Sequence, residues 1–128
     1  MSIIYLDGVF DLFHRGHLEA LRKSKLLGDK LIIGIISDAD CKDYKREPII
    51  NEIDRCEIIK SINYVDDIIF PAPLIITKKF LDENKIDLVV HSFSDEADFE
   101  RQKDFFKVCI DNNKFKKINY YTKTSTTN

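Results

Sequence analysis

The chain has 128 residues, 44% of them hydrophobic and 33% charged, enough for one domain with a buried core. Its 20 basic and 22 acidic residues give a net charge of -2, so no global field points to nucleic acid as a partner. No apolar run is long enough to cross a bilayer, the N-terminus lacks the basic start of a signal peptide, and three scattered cysteines form neither a disulfide framework nor a zinc spacing. A cytoplasmic location with idle thiols is the expectation.

Ile3 to Leu6 is a short apolar run that ends at Asp7-Gly8 and reads as a buried strand. Leu18, Ala20, Leu21, Leu26 and Leu27 recur at helical spacing over 17–27, with Gly28 where a helix C-terminus favours glycine. Leu31 to Ile36 is apolar on both faces, as a central parallel strand requires. The charged stretch 37–48 reads as a loop with a short helix. Asn51 is a good cap for a helix carrying Ile53, Ile58, Ile59 and Ile62. Asp67 to Phe70 reads as a strand, and Pro71 and Pro73 break the chain after it.

Thr77 caps a helix through Phe80 and Leu81, and Leu88 to Val90 is the next strand. Ser94 caps a helix running through Phe99, Phe105, Phe106 and Val108, and a last strand is expected over Lys117 to Tyr121. This alternation predicts an α/β fold: a Rossmann-like open five-stranded parallel sheet with helices on both faces. One domain, 1–128, is the expected organisation. Ligands of such sheets bind at the carboxyl ends of the strands.

The segment after the first strand, Asp7-Gly8-Val9-Phe10-Asp11-Leu12-Phe13-His14-Arg15-Gly16-His17, holds two of the three histidines. A helix start favours phosphate, two imidazoles beside it can donate to phosphate oxygens, and Gly16 lets phosphate approach the backbone. The spacing alone fits two surface histidines equally well; its place after the first strand favours the functional reading. Asp7 and Asp11 are as readily turn and capping residues as metal ligands, and no metal site is expected.

The run from Asp7 to Asp38 resembles the opening of the choline-phosphate, ethanolamine-phosphate and glycerol-3-phosphate cytidylyltransferases, members of the HxGH nucleotidyltransferase superfamily. The likeness continues through Lys45, Asn51-Glu52 with Arg55, Tyr64 to Asp67, Ala72-Pro73 and Ile86-Asp87 to His91. Pro71 to Pro73 and Val90-His91 are nearest the choline and ethanolamine branches. The resemblance implies transfer of CMP from CTP to a phosphoalcohol of the phosphoethanolamine or phosphocholine type, with release of pyrophosphate, as in the making of phospholipid precursors. It implies His14, His17 and Lys45 as catalytic residues, with Lys45 also on the attacking substrate. It implies Val9, Phe10, Gly16 and His91 at the nucleotide, Leu74 in the substrate pocket, and Asp11 and Arg55 nearby. It further implies Mg²⁺ carried with CTP, and a homodimer.

The C-terminal end departs from the family. Thr124, Ser125 and Thr126 match its triphosphate-binding segment, but the family's arginine falls on Tyr120 and its glycine on Lys123, which could supply positive charge from a neighbouring place. The chain ends at Asn128, where the resembling enzymes open a last helix. Leu74 stands where choline enzymes place a tryptophan, and Ser92-Phe93 where they place an acid. Two further readings therefore stay open: a non-catalytic CTP-binding homologue, and an adenylyltransferase of the same superfamily.

Overall fold

A computed structural model describes residues 1–119. Five parallel strands, β1 (Ile3–Gly8), β2 (Lys30–Ile35), β3 (Asp67–Ile69), β4 (Leu88–His91) and β5 (Phe115–Lys117), lie in the order β3-β2-β1-β4-β5. The helices are α1 (Arg15–Lys25), α2 (Asp38–Tyr44), α3 (Glu52–Lys60), α4 (Lys78–Glu83), α5 (Glu96–Gln102) and α6 (Lys107–Asp111), with a 3₁₀ turn over Lys103–Phe106 between the last two.

Strand alternation divides the core into two layers. Ile4 and Leu6 of β1, Leu31, Ile33 and Ile35 of β2 and Val90 of β4 face one side, where Leu21 of α1 and Cys56 and Ile59 of α3 cover them. Tyr5, Ile32 and Val89 face the other, under Leu81 of α4, Phe106 of the 3₁₀ turn and Cys109 of α6. Helices thus cover both faces, which is why the central strands carry no polar alternation. β1 pairs with β2 on one side and β4 on the other, so the order of the strands reverses between β1 and β4. That switch point fixes where a crevice opens.

Several local expectations are corrected. The first helix starts at Arg15 rather than His17, because His14 itself caps it. None of the glycines has a positive φ, so Gly28 is not a left-handed helix cap. It is needed for space: a Cβ there would lie 2.6 Å from Cγ1 of Ile4. The helix expected from Ser94 is three pieces, and Asp95, not Ser94, accepts the capping amide. The fifth strand starts earlier than expected, at Phe115–Lys117, where Phe115 packs on Phe106; Tyr120 and Tyr121 of the expected span lie outside the described residues.

Candidate active site

A cleft of about 580 Å³ opens at the carboxyl ends of β1 and β4. One side is the loop from β1 into α1. The opposite sides are the segment after α2, with Lys45 and Arg46, and the wall formed by the end of β4 and α5.

The two histidines of the first loop hold each other in place. Nδ1 of His14 accepts the Gly16 amide at 3.0 Å, and Nδ1 of His17 accepts the His14 amide at 3.1 Å. This is a reciprocal capping box built from imidazoles, in the place where Ser and Glu usually serve. It fixes both tautomers. With Nδ1 accepting, each neutral ring carries its proton on Nε2 and has that N–H left to donate. The rings stack at 4.0 Å between centroids, and the Phe10 and His17 rings meet in a T-shaped contact at 5.6 Å between centroids. Burial, the His14 ring and the Lys45 ammonium push His17 down to about 4, against a smaller pull from Asp11, so it is a neutral donor at pH 7. Helix α1 has no acid in its first turn, unlike α2, α3 and α5, so its positive end is not neutralised from within.

The loop reaches this geometry through two left-handed residues, Phe10 (φ 56°) and Leu12 (φ 48°). Non-glycine residues there cost on the order of 1–3 kcal/mol each and persist only where the surroundings hold them. Asp11, between them, is such a hold. Its carboxylate accepts the Ile49 amide at 2.9 Å and the Ile50 amide at 2.8 Å. Desolvation raises its pKa, but those amides and the charges of Arg46 and Arg55 outweigh it and keep the carboxyl below its usual range.

Arg55 is a second hold. Its side chain is fully buried, and every donor nitrogen is engaged. Nε donates to the Ile50 carbonyl at 3.0 Å, Nη1 to the carbonyls of Val9 and Ile36 at 2.8 and 2.9 Å, and Nη2 to Asp38 at 2.6 Å. The residue therefore ties the ends of β1 and β2 to the starts of α2 and α3 and does not line the cleft. Asp38 and Glu52 add a reciprocal pair, each carboxylate accepting the other's amide.

Val9, Phe10, Asp11, His14, Gly16, His17, Lys45 and His91 all line the cleft. Lys45 ends α2, and its charge acts on both His17 and Asp98. His91 ends β4, with Nδ1 3.2 Å from the Asp7 carboxylate. Leu74 is not on the cleft; it packs with Ile36, Cys41 and Ala72. Lys123, Thr124, Ser125 and Thr126 lie outside the described residues. Cys41 lines the cleft, but burial raises its thiol pKa and its Sγ–H reaches the Arg46 carbonyl at 3.2 Å, so it is not poised as a nucleophile.

Sequence reasoning missed Arg46 and the wall of Ser92, Ser94, Asp98, Arg101 and Gln102. The signal was the rule that the helix after a cleft strand begins at the cleft, together with the spacing of Ser94, Asp98 and Gln102.

The family described as cytidylyltransferase-like matches residues 5–128. Over 92 residues, 69% of this chain, it is 39% identical to ethanolamine-phosphate cytidylyltransferase of Arabidopsis thaliana, of which it covers 22%. It is 44% identical to that of Dictyostelium discoideum over 70% of this chain and 26% of that protein. It is 40% identical to choline-phosphate cytidylyltransferase A of Homo sapiens over 69% and 24%. The chain thus spans about a quarter of the length of these relatives. A crystal structure of the lipopolysaccharide core biosynthesis protein from Thermoplasma volcanium superposes with a TM-score of 0.73 at 25% identity, covering 95% of this chain and 98% of that one.

Proposed function

The chain belongs to the cytidylyltransferase-like family, and on that premise we propose that it transfers CMP from CTP to a phosphoalcohol of the phosphoethanolamine or phosphocholine type. Pyrophosphate is the other product, and the CDP-alcohol serves as an activated head group for phospholipid synthesis. The observation that carries this reading is the convergence of His14, His17 and Lys45 on one cleft at the switch point of the sheet.

A phosphate oxygen of the phosphoalcohol attacks the α-phosphorus of CTP opposite the bond to the β-phosphate. That bond breaks, and pyrophosphate leaves with the electron pair. No covalent enzyme intermediate is needed, so catalysis is positioning and charge stabilisation. The Nε2–H groups of His14 and His17 donate to the phosphate oxygens as charge shifts toward the leaving group. Lys45, across the cleft, draws the two anionic phosphates together against their repulsion. His17 acts as a hydrogen-bond donor rather than a general acid, since its ring is neutral and its Nδ1 is engaged.

Magnesium enters as part of the substrate, bound to the triphosphate. Among the described residues no group of three or more His, Cys, Asp or Glu side chains is placed to hold a metal, so no step is assigned to a protein-bound ion. Three free, buried thiols accord with a cytoplasmic location, and no described helix is long and apolar enough to cross a membrane. A homodimer is part of the proposal. Leu12, Ile49 and Ile53 are 50%, 64% and 62% exposed, and the Asp11 tie brings the first two together. Light scattering at micromolar concentration should give the dimer mass; a monomer rejects that part.

The test of the activity is pyrophosphate release from CTP and Mg²⁺ with a panel of phosphoalcohols, with ATP as the competing nucleotide. Turnover with CTP and one of the phosphoalcohols is expected. Absence of turnover with all of them rejects the reading.

A further inference from the structure

The three histidines of the cleft do not offer the same chemistry. His14 and His17 accept backbone amides at Nδ1 and so present Nε2–H donors. At His91, Nδ1 faces a carboxylate oxygen of Asp7 at 3.2 Å. A carboxylate only accepts, so Nδ1 of His91 holds a proton, and of the two neutral tautomers the one this contact selects presents a lone pair at Nε2. The β1–α1 side of the cleft is therefore a wall of donors, suited to phosphate. The β4–α5 side begins with an acceptor.

That second side continues as acceptors. Asp98 is buried, with 8% of its surface exposed, yet lines the cleft. Oδ1 takes the Gln102 amide group at 2.7 Å and Arg101 at 3.1 Å. Among the described residues Oδ2 takes only the Ser94 amide, at 3.0 Å, which leaves one of its lone pairs open. Gln102 is 5% exposed; one N–H of its carboxamide goes to Asp98, and its carboxamide oxygen stays as an acceptor to offer beside the second N–H. Desolvation raises the Asp98 carboxyl, but the Ser94 amide, Gln102, Lys45 and Arg101 outweigh it and hold it ionised at neutral pH.

A quaternary ammonium needs a different surface. It has no N–H to donate and is held by aromatic faces. Among the described residues Phe10 is the one Phe, Tyr or Trp on the cleft, and a single ring, itself packed against His17, makes no aromatic cage. Leu74 is packed away with Ile36 and Ala72. A primary ammonium, with three N–H donors, matches what this wall does present.

Resting on the cytidylyltransferase reading, we propose that Asp98 and Gln102 form the head-group subsite and select a phosphoalcohol ending in a primary ammonium over one ending in a quaternary ammonium. Lys45, between His17 and Asp98, holds the phosphate of that substrate while its ammonium end reaches the wall. Arg101, whose side chain is 65% exposed, is free to swing aside as the ligand ammonium arrives.

Titration calorimetry of the 128-residue chain with CDP-ethanolamine and CDP-choline tests this without relying on turnover. CDP-ethanolamine should bind at least about tenfold tighter, and Asp98→Asn should bring the two within about twofold. Gln102→Met, which removes the second acceptor at similar volume, should reduce the preference about threefold and serves if Asp98→Asn unfolds in the accompanying thermal melt. Equal binding, a preference for CDP-choline, binding of neither, or a preference untouched by either variant overturns the proposal. Pyrophosphate release is measured separately. A head-group preference without turnover sinks the catalytic reading alone, and turnover favouring phosphocholine sinks the subsite alone.

Discussion

Replacing Arg55 by Met keeps the length and apolar stem of the side chain and removes all four of its hydrogen bonds. Three carbonyls, those of Val9, Ile36 and Ile50, lose the donor that Arg55 supplies, and Asp38 loses its cation. A buried acceptor left without a partner costs about 1–3 kcal/mol. Three of them and an orphaned carboxylate sum to more than is usually observed, because water from the adjoining cleft can reach some of these groups. The Asp38 side chain is 37% exposed, so water can satisfy it, and the loss expected here, about 3 kcal/mol, comes mainly from the carbonyls. Arg55→Lys should lose about half as much, since an ammonium can reach Asp38 or a carbonyl but cannot span four acceptors in one plane. Urea unfolding followed by far-UV circular dichroism, at one fixed protein concentration, gives both values. Pyrophosphate release should fall as well, because the carbonyl of Val9 belongs to the loop that carries the histidines. A loss below about 1 kcal/mol for Arg55→Met would show that these bonds do not hold the site together, and the argument for its rigidity would fail.

His14→Asn separates structure from chemistry: asparagine caps helices well, so stability should change by less than about 0.5 kcal/mol, while loss of Nε2–H lowers turnover by about 100-fold. Retained turnover in that variant would remove His14 from the mechanism. For His17 the folded pKa, about 4, lies below the unfolded 6.5, so the unfolded chain binds more protons between these values. Stability should therefore be intact above pH 6.5 and fall toward pH 4, by about 1–2 kcal/mol once solvent screening of a half-buried ring is allowed for. An NMR titration of His17 centred near 6.5 would contradict this. The Tyr5 hydroxyl is buried without a hydrogen-bond partner among the described residues, so Tyr5→Phe should stabilise by about 1 kcal/mol. Gly34→Ala would drive a Cβ into that hydroxyl and should destabilise by about 2 kcal/mol, less in the Tyr5→Phe background; equal losses in both backgrounds would refute the collision.

The sheet was readable because β1, β2 and β4 are apolar on both faces, a pattern that only a covered parallel strand explains. The HRGH segment was readable because its position after β1 has a physical meaning in such a sheet. Three features were not. His14 as a helix cap looks on paper like a residue waiting outside the helix, since imidazole is seldom used for that purpose. Arg55 reads as a helix-surface cation, because nothing in its neighbours along the chain reveals that four acceptors from three other segments converge on it. Leu74 was matched by position to a pocket residue, but a leucine follows the apolar cluster of Ile36, Cys41 and Ala72 where the larger ring of a tryptophan would have to find other room.

The ties made by Asp11, by Arg55 and by the Asp38–Glu52 pair all grip the feet of the segment that carries Lys45, at 38 and at 49–52. Between them Cys41 is buried with Ile36 and Ala72, its thiol on the Arg46 carbonyl, and Tyr44 packs on Phe105. The footings of the segment that offers Lys45 are thus cast by side chains from elsewhere in the chain. The aim of Lys45 at the cleft is inherited from residues that never meet the ligand, so damage at Arg55 should be felt at Lys45 without any change to the lysine itself.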